Sequence, residues 1–241
     1  LITWMLKIDQ AVYLYFQDWQ AQHAFWGKFF AVLSYLGTAG WQQIFCTLLA
    51  CIVAVKNRPN LAIKYGLFGI PIFYLGALWF FLRMLFGINW TKPLGAVGRG
   101  WYWLHMQVEA APDHAKLWSR AMPLFLWIGI FVHIPKILIG RPRPFKFLTE
   151  GEYWAGWIDA ASRMKSFPSG HAITTFALIA ILWPHYNKPW QRIGMVMLGA
   201  FICWGRLSSA HWLGDILAAA GIGFIFGRFY AHKYGLDKLR V

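Results

Sequence analysis

Phe167-Pro168-Ser169-Gly170-His171 stands where a polar segment gives way to an apolar run, Ala172 to Trp183. Pro168 fixes its own φ and turns Phe167 toward extended backbone, so a helix starts here instead of passing through. Ser169 suits the N-cap, and Gly170 lets another group come close to the backbone. The first-turn amides of such a helix form a site ready for an anion. His171 would stand beside that anion as an imidazole suited to proton transfer near neutral pH. Taken alone, the pentapeptide is equally a plain helix cap with a histidine next to it, and its meaning depends on the rest of the chain.

Composition sets the environment of that helix. Hydrophobic residues make up 59% and charged residues 13% of the 241, with a mean hydropathy of +0.44. A soluble domain carries about a quarter charged residues. The apolar residues also fall in long runs, so the expectation is an integral membrane protein. The 16 Trp, 10 Tyr and 20 Phe fit it, because Trp and Tyr collect at bilayer interfaces. Lys and Arg total 23 against 9 Asp and Glu, a net charge of +14. In a membrane protein that excess belongs to loops facing anionic headgroups. Nucleic acid is not an expected partner, because no Lys/Arg-rich run or RNA-binding signature occurs. Cys46, Cys51 and Cys203 lie in apolar segments and read as small core hydrophobes, not as a disulfide or metal framework.

Residues 1–28 mix aromatics with Lys7, Asp9, Asp18 and Lys28 and read as an interfacial amphipathic helix, not a cleavable signal peptide. Apolar segments near the roughly 20 residues that a span needs follow at about 38–55, 65–87, 121–139, 170–184, 191–205 and 211–229. Arg83, near the end of the second, reads as snorkelling or paired at the interface. Polar loops occupy 88–120 and 140–166, and a basic turn occupies 185–192. No repeat or linker divides the chain. The expected fold is therefore all-α, a six-transmembrane-helix bundle with an interfacial N-terminal helix, one domain over 1–241. In that threading the end of span three, the start of span four and the junction of spans five and six share one membrane face.

Those three places are where chemistry-bearing side chains gather. Between Lys136 and Lys165 lie six cations (Lys136, Arg141, Arg143, Lys146, Arg163, Lys165) against Glu150, Glu152 and Asp159. A metal-dependent phosphatase needs carboxylates converging on its ions; a cationic excess suits direct binding of phosphate by Lys and bidentate Arg. Lys146, Arg163 and Lys165 read as ordinary juxtamembrane charges. Farther on, His211 and Asp215 are four apart, which on a helix puts them on one face. A carboxylate accepting from one imidazole nitrogen fixes the tautomer and leaves the other nitrogen free to attack, although a structural hydrogen bond accounts for most such pairs.

Lys136-x6-Arg143-Pro144, then Pro168-Ser169-Gly170-His171, then Arg206 followed by His211-x3-Asp215, resembles the three-part signature of the type 2 phosphatidic acid phosphatase superfamily. The signature covers 136–215, and the span layout extends the likeness to most of the chain. The resemblance implies that Lys136, Arg143 and Arg206 hold phosphoryl oxygens, with Ser169 and the Gly170 amide completing the cradle. It implies that His211 attacks phosphorus to give a phosphohistidine, that Asp215 orients it, and that His171 protonates the leaving oxygen. It implies neither metal nor other cofactor. Two features depart from the family pattern: Gly205 stands where Ser usually precedes the Arg, and four residues, 207–210, separate Arg206 from His211 where five are usual. On a continuous helix one deleted residue rotates a side chain by about 100°; a break at Ser208-Ser209 would absorb it.

Basic residues are denser at the termini and in the 88–120 and 185–192 loops than on the opposite face, so the termini are expected in the cytoplasm. The site then faces the outside, periplasmic in a bacterial inner membrane. A site at that boundary, between apolar helices, implies a lipid phosphate as substrate: undecaprenyl pyrophosphate, phosphatidylglycerol phosphate, phosphatidic acid or a lipid A phosphate. A phosphotransferase using the same histidine, and a non-enzymatic lipid-binding protein or transporter, are the alternative readings. Nothing in the pattern sets an oligomeric state.

Overall fold

The computed structural model describes residues 2–38, 42, 113–150, 165–207 and 210–240. These residues are helical with no β-strand among them, and their eight α-helices are α1 (Ile2–Gln22), α2 (Ala24–Ser34), α3 (Asp113–Phe131), α4 (His133–Ile139), α5 (Pro144–Glu150), α6 (Gly170–Leu182), α7 (Pro189–Leu207) and α8 (Leu213–Lys233). The expected first and second spans lie outside the described residues but for Thr38 and Gln42. Residues 1–42 with 127–237 form one compact unit, and 43–126 with 238–241 another. Every candidate site residue belongs to the first.

Helix boundaries follow local chemistry. Residues 113–120, expected as the end of a polar loop, belong to α3, which opens at Asp113; the rest of that loop, 88–112, lies outside the described residues. The expected third span is interrupted at Val132, between α3 and α4. Pro135 explains the break: it has no N–H to offer the Phe131 carbonyl, and its ring collides with that group. Gly140 ends α4 in the left-handed region, φ 64°, with its N–H on the Lys136 carbonyl at 3.2 Å. A residue with a Cβ adopts that conformation only at a cost, so the glycine is the natural stop. Pro189 starts α7 at its first turn, where a missing N–H costs nothing, and the Gln191 side chain accepts the Lys188 N–H at 3.3 Å.

The core of the first unit is the packing of α6 on α8. Ala219, Gly223, Gly227 and Ala231 form a buried stripe, one per turn. A Cβ on Gly223 would lie 2.3 Å from the Ile173 carbonyl oxygen, and one on Gly227 would lie 2.5 Å from that of Ala177. Both contacts advance together along the two helices, so α6 and α8 run parallel and begin at the same end of the unit. α7 runs antiparallel to α6, with Gly199 against Ile179 and Ile202 reaching Gly37 beside Thr175. It therefore returns its C-terminal turn, with Arg206, to that same end. The expected sharing of one end by the starts of α6 and α8 is a consequence of small residues that let backbones touch.

The N-terminal helix has an inward face that the interfacial reading did not foresee. Asp9, Tyr13 and Phe16, at helical spacing, are buried. Phe16, Trp19, Phe30 and Trp204 join α1, α2 and α7 in one aromatic cluster, with Phe16 and Trp204 ring centroids 4.7 Å apart. Among the described residues α8 is the helix long and apolar enough to cross a membrane.

Candidate active site

Two non-helical stretches meet at the shared end of the unit. After Gly140 the chain turns through Arg141 and Pro142, and this pair lies antiparallel to Lys165 and Ser166. The Ser166 N–H donates to the Arg141 carbonyl at 2.7 Å, and its hydroxyl reaches the same oxygen at 3.3 Å. Lys136, in the last turn of α4, donates Nζ to the Lys165 carbonyl at 3.3 Å. Residues 165–166 thus tie the stretch before Phe167 to the Lys136–Arg143 segment. Lys165 is itself buried, and so is not the solvated juxtamembrane charge its sequence position implied.

His211 joins the same backbone. Its Nδ1 lies 2.6 Å from the Ser166 carbonyl oxygen. A carbonyl only accepts, so Nδ1 carries the proton and the neutral ring presents its lone pair at Nε2. The expected partner of this ring, Asp215, is engaged elsewhere. Asp215 Oδ2 accepts the Trp212 N–H at 3.1 Å, and Oδ1 takes Arg141 Nη1 at 2.5 Å. The reason is local: α8 begins at Leu213, with Trp212 as its N-cap, so His211 precedes the helix and the one-face relation of residues four apart does not hold. Asp215 instead occupies the third helical position and turns back on the cap.

Arg141 has a carboxylate on either side. Its Nη2 meets Asp9 Oδ2 at 2.7 Å, opposite the Asp215 contact. Asp9 Oδ1 accepts the Gly214 N–H, in the first turn of α8, at 2.8 Å. Trp212 is buried between these elements: its Nε1–H donates to the Pro142 carbonyl at 3.0 Å, and its ring lies near Tyr13, Phe147 and the Arg141 guanidinium. Asp9, Ser166 and Trp212 were missed in sequence reading, and Arg141 entered it only as one cation of six. The 3–4 spacing of Asp9, Tyr13 and Phe16 was the available signal, since an acid aligned with two aromatics on one helix face marks a charge pointing inward.

The remaining expected residues surround His211. Lys136, Arg206, Arg143 and His171 all lie within electrostatic reach of its ring. Ser169 is the N-cap residue of α6 by backbone conformation, but its side chain makes no capping bond and is 0% exposed. Among the described residues a Cβ on Gly170 would meet nothing closer than a Val132 methyl at 3.7 Å, so their packing does not demand glycine there. Four buried polar atoms, Ser169 Oγ, His171 Nε2, Arg143 Nε and Arg206 Nε, have no hydrogen-bond partner among the described residues. Burial lowers the Arg143 pKa from its very high ordinary value, the mark of a cation withdrawn from water. Buried donors beside three cations are complementary to a multivalent oxyanion, because each unmade bond there is costly without one. Among the described residues no three His, Cys, Asp or Glu side chains converge as metal ligands would.

Both departures from the family pattern have a structural counterpart. Arg206 sits in the last turn of α7, and its carbonyl accepts from the N–H groups of Ala210 (3.1 Å) and His211 (3.0 Å). The helix is interrupted between Leu207 and Leu213, so the short spacing closes as a turn and Arg206 stays beside His211. Ser208 and Ser209, where the break was expected, lie outside the described residues. At Gly205 a Cβ would fall 2.0 Å from the Phe30 carbonyl oxygen, so α2 excludes the usual serine.

Comparison with known proteins finds relatives of one class. The chain is similar to the lipid A 1-phosphatase of Rhizobium johnstonii, 30% identical over 45% of this chain and 49% of that protein. It is also similar to the lipid A 1-phosphatase of Rhizobium etli, 29% identical over 48% of this chain and 55% of that protein. The chain spans about half the length of these curated relatives. No solved structure matches it. The family model described as the PAP2 superfamily matches residues 120–237, just under half of the chain and a stretch holding all three motifs.

Proposed function

We propose that this chain is a membrane phosphatase acting on a lipid phosphate or pyrophosphate, with a lipid A phosphate the first substrate to test. The superfamily stretch and the two Rhizobium lipid A 1-phosphatases support the class. Membrane residence is supported by α8 and by its exposed Leu217, Ile222, Ile225, Phe226 and Phe229, side chains suited to acyl chains. The reading includes a six-span bundle in a bacterial inner membrane, with the site on the periplasmic side, as the basic loops argue.

In the reaction we infer, Lys136, Arg143 and Arg206 bind the phosphoryl oxygens, joined by the Ser169 hydroxyl and the Gly170 N–H. His211 Nε2 uses its lone pair to form a bond to phosphorus. The bond from phosphorus to the lipid oxygen breaks as His171 passes that oxygen a proton. Water then attacks the phosphohistidine, losing a proton to His171, and inorganic phosphate leaves as His211 regains its lone pair. Phosphoryl transfer demands mainly positioning and charge stabilisation, which three cations and fixed donors supply without a metal ion. The observation that carries this reading is His211, held through Nδ1 by the Ser166 carbonyl and within electrostatic reach of three cations.

The experiment is phosphate release by the purified, EDTA-treated protein from a panel of lipid A, undecaprenyl pyrophosphate, phosphatidylglycerol phosphate and phosphatidic acid. Release from at least one lipid, unaffected by EDTA and abolished in His211→Ala, is the expected result. Undiminished release by His211→Ala would sink the nucleophile's role. Phosphate appearing on a second lipid instead of in solution would make the enzyme a transferase.

A further inference from the structure

We infer that Asp9, on the N-terminal helix and outside the family-matched residues 120–237, is a positioning residue for the nucleophilic histidine. The inference rests on the phosphatase reading above. Asp9 is 4% exposed, and both its oxygens are bonded to the site's framework: Oδ2 to Arg141 and Oδ1 to the Gly214 N–H. Arg141 in turn holds Asp215, which caps α8 through the Trp212 N–H. The Arg141 carbonyl holds Ser166, whose own carbonyl holds His211. Both routes from Asp9 therefore end on His211, one through the α8 cap and one through the Arg141 backbone.

The charges lead to the same role. Arg141 stands two residues before Arg143, and a buried guanidinium in that position would compete with Lys136, Arg143 and Arg206 for phosphate. Two carboxylates occupy it instead, so Arg141 acts as a fixed tie between α1 and α8 and the phosphate faces the other cations. Asp215 fixes Nη1 and Asp9 fixes Nη2, so the guanidinium is held from both sides. Asp9 thus contributes geometry and selectivity without touching substrate, and its loss falls on the chemical step more than on binding.

The test compares Asp9→Ala, Asp9→Asn and Asp9→Glu with wild type, using lipid phosphate hydrolysis normalised to folded protein. In Asp9→Ala we expect kcat to fall roughly 10- to 100-fold with KM changed by less than about threefold, since slight misplacement of a reacting group costs rate before affinity. Asp9→Asn, which can still accept the Gly214 N–H, should lie between. The Asp9→Ala effect should largely vanish when added to Arg141→Ala. A kcat in Asp9→Ala within twofold of wild type would overturn the inference. A second readout needs no turnover: 15N-histidine spectra, assigned with His211→Ala, should show a protonated Nδ1 and a lone-pair Nε2 for His211 in wild type. In Asp9→Ala the two nitrogens should average, and an unchanged tautomer would overturn the inference. Should wild type hydrolyse no lipid phosphate, the phosphatase reading fails while the spectra still decide the role of Asp9.

Discussion

The Nδ1–H of His211 meets the backbone carbonyl of Ser166, 45 positions earlier in the chain, at 2.6 Å. A main-chain carbonyl cannot change protonation state or be removed by a side-chain substitution. Asp215, the acid expected to orient His211 directly, is 0% exposed and holds Arg141 and the Trp212 amide instead. It thereby ties the start of α8, next to the histidine, to Arg141.

A prediction about Asp215 separates those roles. Where a carboxylate contacts the catalytic imidazole, its amide replacement imposes the wrong tautomer at a cost on the order of 10⁴ in kcat. Here Asp215→Asn keeps an acceptor for the Trp212 N–H and leaves the Ser166 carbonyl in place, so kcat should fall by only about tenfold. Asp215→Ala removes one partner of a buried ion pair and should lower stability by about 3 kcal/mol. Thermal unfolding in detergent, together with kcat, measures both.

Gly205 gives a test of packing. Gly205→Ser restores the residue usual in the family and places its Cβ 2.0 Å from the Phe30 carbonyl oxygen, a contact that backbone cannot relieve cheaply. It should destabilise by about 1–3 kcal/mol or more and reduce activity through displacement of Arg206. Gly194→Ala, on the same helix with none of the described residues within 4 Å of the new Cβ, should instead stabilise by about 0.5–1 kcal/mol. Melting curves of the two variants should therefore shift in opposite directions.

These residues also divide what the sequence reveals from what it hides. The start of α6 was legible because Pro168, Ser169 and Gly170 act within one turn, and the convergence of Lys136, Arg143, His171, Arg206 and His211 followed from the order of helix ends. The true partner of His211 was not, because the start of α8 at Leu213 depends on Asp215 choosing the Trp212 amide. Asp9 and Arg141 are 132 positions apart, and no local pattern joins them. The Val132 break lay in a run whose hydropathy is continuous, where Pro135 was the one mark of interruption. Hydropathy reports environment, and it carries no information on which backbone groups pair.

Arg206 should prove a phosphate ligand despite the shortened spacing. Its buried Nε, without a hydrogen-bond partner among the described residues, and its place beside His211 argue that Arg206→Ala loses charge stabilisation at the transition state, roughly 10²–10³ in kcat. Arg206→Lys should recover only part, since a point charge does not reproduce a planar fork. Ser208→Ala and Ser209→Ala should leave kcat/KM near wild type. A loss in either serine variant equal to that of Arg206→Ala would move the role from Arg206 to the turn.

Trp212 offers the last test, because it separates shape from hydrogen bonding in one side chain. Its indole fills the space between Tyr13, Phe147 and Arg141, and its N–H satisfies the buried Pro142 carbonyl. Trp212→Phe keeps most of the packing and leaves that carbonyl unmatched, which should cost about 1–3 kcal/mol. Trp212→Ala also opens a cavity and should cost about 3–5 kcal/mol. Pro142 lies one residue from Arg143, so both variants should raise KM for the lipid phosphate as the Arg143 loop loosens. Trp212→Phe with unchanged stability and KM would mean that Lys165 pairing alone holds this loop in place.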